Sequence, residues 1–197
     1  MSETGSVKFS CEHVPTLLPE FTGFAELNAC RRKLLQLRML GIDATGIGFG
    51  NVSVRDGSGP NFYITGSMTG GLPQVALSDC AKVTGFDFER NWIRCQGETV
   101  ASSESLTHAA VYELDDTACA VIHGHSGDLW QRLRDRLPTT SEDVEYGTPE
   151  MAREVQRLFD TTDLREKKIF IMGGHPEGFV TFGANLFEAF ATLVARL

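Results

Sequence analysis

The chain has 197 residues, 42% hydrophobic and 22% charged, which suits one soluble domain, 1–197, with a full core. Its net charge of −8 disfavours a nucleic-acid backbone as partner, although a local site can be positive within an acidic protein. No apolar run reaches the about 18 residues of a membrane helix, and five scattered cysteines without C-x-x-C spacing do not make a disulfide framework.

Residues 1–20 mix glycine, proline and polar side chains and read as an irregular arm. They lack the charged-then-apolar order of a secretory signal, so the cytoplasm is the expected compartment. Over residues 24–40, Leu27, Leu34, Leu35, Leu37 and Met39 sit among Arg31, Arg32, Lys33 and Arg38. That pattern predicts an amphipathic helix stopped by Gly41. The segment Gly46-Ile47-Gly48-Phe49-Gly50 then feeds an alternating strand at 51–55. Turn residues 56–60 return the chain as strand 61–65, which makes a hairpin. A second polar glycine loop covers 65–73, and 83–88 and 92–94 read as short strands about the turn at Asn91.

Ser102-Ser103-Glu104 opens a helix to about Glu113, with Ser102 or Ser103 as its N-cap. The apolar run 118–122 ends in His123-Gly124-His125. Strand side chains alternate faces, so the two histidines point the same way with Gly124 leaving room between them. Two imidazoles so placed can close on one metal ion at about 2 Å, or can simply bond to backbone and water. His175, in Gly173-Gly174-His175-Pro176-Glu177-Gly178, and the acidic Glu104 are available to complete a site.

Further on, 128–133 reads as helical and 137–148 as a loop carrying Tyr146. Thr148-Pro149 starts a helix to about Phe159, with proline at the first position. Strands at 168–172 and 178–182 flank His175, and a last helix over 184–197 offers Leu186, Phe187, Phe190 and Leu193 as its buried face. Strands in hairpins and helices in separate blocks predict an α+β fold with a largely antiparallel sheet covered by helices.

Together these stretches resemble the class II aldolase/adducin family, which includes fuculose phosphate aldolases and ribulose phosphate 4-epimerases. The resemblance rests on Gly50-Asn51-Val52-Ser53-Val54-Arg55, the loop 65–71, Ser102-Ser103-Glu104, the His123/His125 pair and His175, in the family's order. It implies a three-layer α/β/α fold around a mostly antiparallel sheet. It also implies a divalent ion, zinc with manganese or cobalt as alternatives, on His123, His125 and His175. Glu104 would be the catalytic acid/base, and Asn51, Thr69, Gly70, Ser102 and Ser103 would contact a phosphate or similar anion. The resemblance also implies a homotetramer, the usual assembly of the family, with sites near subunit interfaces. Two departures alter the substrate end of the site. The loop 65–71 is longer than the family's Thr-Pro-Ser/Thr-Gly form, and His175 is followed by Pro176-Glu177-Gly178 instead of directly by glycine.

The implied reaction is aldol-type cleavage next to a carbonyl in a small hydroxylated substrate. Epimerase, dehydratase and decarboxylase relatives share the same metal logic, and the family's epimerases carry Asp where Glu104 stands. A non-catalytic adducin-like module is disfavoured by retention of all three histidines. A zinc hydrolase would also use histidine ligands, but no HExxH helix is present. His108, one turn after Glu104, reads as a hydrogen-bonded core histidine that could also orient Glu104. Glu177 and Tyr146 are further proton-transfer candidates, with a solvated turn and a packing aromatic as their alternatives. Arg55 reads as a salt-bridged surface or interface residue. Gly46, Gly48 and Gly50 serve either a tight connection or an anion nest.

Overall fold

Eight strands build one twisted sheet in the computed structural model, which describes residues 9–197. In chain order the large sheet takes β1 (Ser10–Pro15), β4 (Asn51–Arg55), β5 (Phe62–Thr65), β6 (Cys80–Asp87), β7 (Trp92–Gly97), β8 (Ala120–His125), β9 (Ile169–Ile171) and β10 (Gly178–Gly183). A separate ribbon pairs β2 (Gly41–Ile42) with β3 (Gly48–Phe49). The spatial order is β1-β7-β6-β5-β4-β8-β10-β9. Among the described strands of this sheet β1 and β7 run parallel, and the other pairs are antiparallel.

Six α-helices are present among the described residues: α1 (Phe24–Gln36), α2 (Ser105–Leu114), α3 (Gly127–Leu133), α4 (Pro149–Thr161), α5 (Leu164–Lys167) and α6 (Leu186–Val194). None is long and apolar enough to cross a membrane. They cover both faces of the sheet because its central strands are apolar on both sides. Val121 and Val180 pack on one face with Leu106 and Ala109 of α2 and Val155 and Leu158 of α4. Ala120, Ile122 and Phe179 pack on the other with Leu27 and Leu34 of α1 and Ala189 and Leu193 of α6. Leu27 and Leu34 are fully buried, each worth about 1.5–3 kcal/mol against exposure. The expected α+β class and the three-layer, mostly antiparallel arrangement are both observed.

Several local expectations are corrected. The supposed irregular arm contains β1, held parallel to β7 and fixed by His13 Nε2, which donates to Gly97 O at 2.9 Å. That pairing is tertiary and leaves no periodic trace in a polar segment; residues 1–8 of the arm lie outside the described residues. Helix α1 ends at Gln36 and not near Leu40, because Arg38 takes φ 57° and Met39 N turns back to Leu34 O. Neither Ser102 nor Ser103 caps α2, which begins at Ser105 behind Glu104. The Ser102 hydroxyl instead accepts from Asn51 Nδ2 at 2.8 Å. Phe187, assigned to the buried face of α6, is 79% exposed, and Ala189 takes the inner position. Arg55 makes no ion pair among the described residues; it donates to the carbonyl oxygens of Tyr112, Asp115, Ala118 and Gly59, closing the C-terminal end of α2.

Helix α1 also anchors the segment that follows the second glycine loop. Asn28 donates from Nδ2 to Val75 O and accepts at Oδ1 from Val75 N, so one buried side chain imitates a strand partner. Replacing Asn28 with Ala leaves both backbone groups of Val75 buried and unpaired. The expected loss is about 2–4 kcal/mol, read as a lower urea midpoint at unchanged slope. An unchanged midpoint would show that this anchor contributes nothing.

Candidate functional site

The histidines sit where β8 runs out from the middle of the sheet. On β8 the odd residues share the face that Val121 presents to α2 and α4, so His123 continues that apolar row. Antiparallel pairing places Asn51 of β4 on one side of His123 and Val180 of β10 on the other. Gly50, immediately before Asn51, has φ +75° and lies against Leu40 and the carbonyls of Met39 and His123. A side chain there would overlap Leu40, so glycine is needed to bring Asn51 onto the strand at this point. His175 approaches from the β9–β10 turn, closed by His175 N to Met172 O and Gly178 N to His175 O.

The three imidazoles converge. One nitrogen from each of His123, His125 and His175 lies within 4.8 Å of the other two, and His125 Nε2 and His175 Nε2 are 3.0 Å apart. His123 Nδ1 donates to the Phe179 carbonyl at 3.0 Å, which fixes the tautomer and leaves Nε2 as a lone-pair donor. Burial holds the His123 pKa well below the ordinary histidine value, and the neighbouring His125, His175 and His108 lower it further. Burial likewise lowers His125 to about 4, partly opposed by the charge of Asp43. At neutral pH His123 and His125 are uncharged, the form in which imidazole ligates a metal. A neutral, nitrogen-rich cluster with a backbone-oriented tautomer fits a borderline first-row divalent ion.

A cavity of about 250 Å³ opens over this cluster. All nine residues singled out from the sequence line it: Glu104, Asn51, Thr69, Gly70, Ser102, Ser103 and the three histidines. Glu104 is buried, and its Oε2 accepts from Thr107 Oγ1 at 2.7 Å. Thr69 Oγ1 donates to Gly66 O at 2.8 Å, which folds the glycine loop back on itself. Gly70 is pressed against the backbone of Phe49 and Gly41, where any side chain would overlap Phe49 O.

Other residues divide between the cavity and the core. Tyr146 lines the cavity, with its ring 4.3 Å from that of His175. Glu177 does not line it and sits exposed in a turn at φ 68°. His108 is the core histidine expected: its Nδ1 lies 2.7 Å from Ser53 Oγ, which is 2.7 Å from Tyr112 OH, and burial lowers its pKa to about 3. Several wall residues escaped the sequence reading, Phe49 and Asp43 among them. Phe49 stacks on His125 at 5.1 Å and 23°, and Asp43 stands at the edge with its Oδ1 accepting from Thr45 and Ile47. A bulky aromatic between two glycines was the available signal for Phe49; Asp43 gave none.

Comparison with known proteins bears on fold and family. No curated protein sequence matches this chain. Among solved structures, an L-fuculose 1-phosphate aldolase is similar at 22% identity and TM-score 0.67, over 91% of this chain and 83% of that one. An aldolase II superfamily protein from Pseudomonas syringae is 20% identical, with TM-score 0.57, over 87% of this chain and 69% of that one. The N-terminal class II aldolase domain of a conserved protein from Thermoplasma acidophilum is 15% identical, with TM-score 0.59, over 91% and 94%. At these identities the likeness is one of fold. The family description "Class II Aldolase and Adducin N-terminal domain" matches residues 35–195. On that match and this fold, the chain belongs to the class II aldolase and adducin N-terminal domain family.

Proposed function

We propose that the protein is a metal-dependent lyase of the aldolase type, acting on a small, hydroxylated, anionic or phosphorylated, sugar-like compound. The observation that carries this reading is the convergence of three imidazoles, two of them held neutral by burial, beside a buried carboxylate in one cavity. His123, His125 and His175 would hold the ion, zinc on this reading. Once bound, it supplies Lewis-acid polarisation of a substrate oxygen. The remaining chemistry belongs to the chain. Glu104 takes or returns the proton at the carbon next to the carbonyl, its carboxylate held by Thr107. Asn51, Thr69, Gly70, Ser102 and Ser103 bind and orient the anionic end. Phe49 and Tyr146 flank two of the histidines with apolar surface and limit access of water. A glutamate at position 104, where the family's epimerases carry Asp, favours cleavage over epimerisation; dehydratase and decarboxylase chemistry would use the same residues.

A full set of candidate ligands favours an enzyme over an adducin-like binding module. Five free cysteines support a reducing, cytoplasmic setting, and a homotetramer is the assembly that the family resemblance supports.

Four measurements test this reading. Elemental analysis of the purified protein should return one divalent ion per chain, with clear loss in each of His123→Ala, His125→Ala and His175→Ala. Full metal content in the His175 variant would remove the three-ligand site. A panel of phosphorylated and unphosphorylated hydroxy-ketones and hydroxy-acids should identify a substrate by aldehyde release. On that substrate Glu104→Gln should keep the metal and lose on the order of 10²–10⁴ in turnover. Undiminished turnover would pass the proton to Tyr146 or to water. Light scattering should give four times the mass of the chain, 21.6 kDa, and a monomer at micromolar concentration would overturn the tetramer.

A further inference from the structure

Among the described residues, no lysine or arginine lines the cavity proposed to receive an anionic group. A buried cation lies behind its wall. Arg31 of α1, which in the sequence sits on a basic helix face, has no exposed surface. Its Nη2 donates to the carbonyl oxygens of Thr69 at 2.8 Å and Leu72 at 3.0 Å. Among the described residues its Nε and Nη1 have no hydrogen-bond partner. Asp79, Cys80 and Cys30 act on it through space, but burial pushes both thiols up to about 12, so neither thiol brings it a negative charge at neutral pH.

A guanidinium remains protonated inside a protein, and burying it without a bonded carboxylate is strongly unfavourable. The segment it grips is the cavity wall itself: Thr69 and Gly70 face the cavity, and Gly70 has no room to shift against Phe49 and Gly41. Such a charge, shielded from solvent, acts across the wall with little screening by salt. We propose that Arg31 is the positioning residue of the anion site. It fixes the 69–72 turn through two carbonyls and supplies, from behind the loop, the positive charge that an anionic substrate group meets. The inference rests on the anionic-substrate reading above. A clamp with no electrostatic role would hold the loop equally well but would not distinguish a charged from a neutral side chain of similar size.

The test is calorimetric titration of the metal-loaded, full-length protein with inorganic phosphate, with metal content measured for each variant. Wild type should bind phosphate. Arg31→Lys, which keeps the cation, should bind within about threefold of wild type, and Arg31→Gln should bind roughly tenfold more weakly at unchanged metal content, the scale of one screened charge interaction. Arg31→Met is the second neutral variant should the glutamine form not fold. Equal phosphate affinity in wild type and a neutral variant, even with a lowered melting temperature, would overturn the role of Arg31 and leave the anion site standing. A lysine variant as weak as the glutamine variant would also overturn it, since charge would then not be the determinant. Absence of phosphate binding by wild type would overturn the anion-site reading, and the role of Arg31 with it.

Discussion

Strand β8 lies between β4 and β10, and its alternation has to satisfy two demands at once. Its even residues, Ala120 and Ile122, fill the layer under α1 and α6, while Val121 fills the layer under α2 and α4. The row begun by Val121 then ends in His123, buried to 2% exposure, and His125 at the rim. A one-residue slip against either neighbour would send the histidines to the wrong layer and break the apolar packing of both. Register is therefore set by the core, and the candidate site inherits it. The same pairing aligns Asn51 with His123 and brings the Phe179 carbonyl to His123 Nδ1.

Around this strand the fold concentrates polar groups that burial makes expensive. His123, His125 and His108 stay neutral because desolvation penalises their charged forms. Glu104 and Arg31 are both kept out of water, one bonded to Thr107 and the other to backbone carbonyls. Asn51 Oδ1 has no hydrogen-bond partner among the described residues, although its amide nitrogen is bonded to Ser102. Elsewhere the charged groups are mostly exposed pairs, such as Arg153 with Glu89 and Glu150, which contribute little to stability. Much of the costly polar burial is thus placed where chemistry is proposed, while Asn28 and the Ser53–His108–Tyr112 group are buried away from the cavity and satisfied within the core.

Within the family, shared fold does not fix the reaction. The similar aldolase structures are at most 22% identical among those described, which is too distant to transfer a substrate. The substrate end also departs from the familiar pattern, since the loop that Arg31 grips is the one that is longer than usual in sequence. The ribbon β2–β3 and the 66–72 loop packed against it form one wall of the cavity, while His123 and His125 belong to the sheet and His175 to the β9–β10 turn.

Periodicity in the sequence carried the class of the fold and much of the site. Apolar runs at strand spacing located β4, β5, β8, β9 and β10, and the H-x-H spacing placed two ligand candidates on one face, because strand alternation is a local rule. The glycine loops and Ser102-Ser103-Glu104 were legible as a group only through their resemblance to the class II aldolase/adducin family. What escaped was whatever depended on a distant partner. Strand β1 exists through its pairing with β7, Ser102 gave up a helix cap for Asn51, and Phe187 turned outward because Ala189 packs more closely against the sheet. Arg31 is the sharpest case. Its neighbours Arg32 and Lys33 make it look solvated, yet the carbonyls of a loop nearly forty positions later bury it. Local sequence determined which residues could do the chemistry; only tertiary packing decided which of their charges would be stripped of water, since desolvation depends on neighbours that the chain supplies from afar.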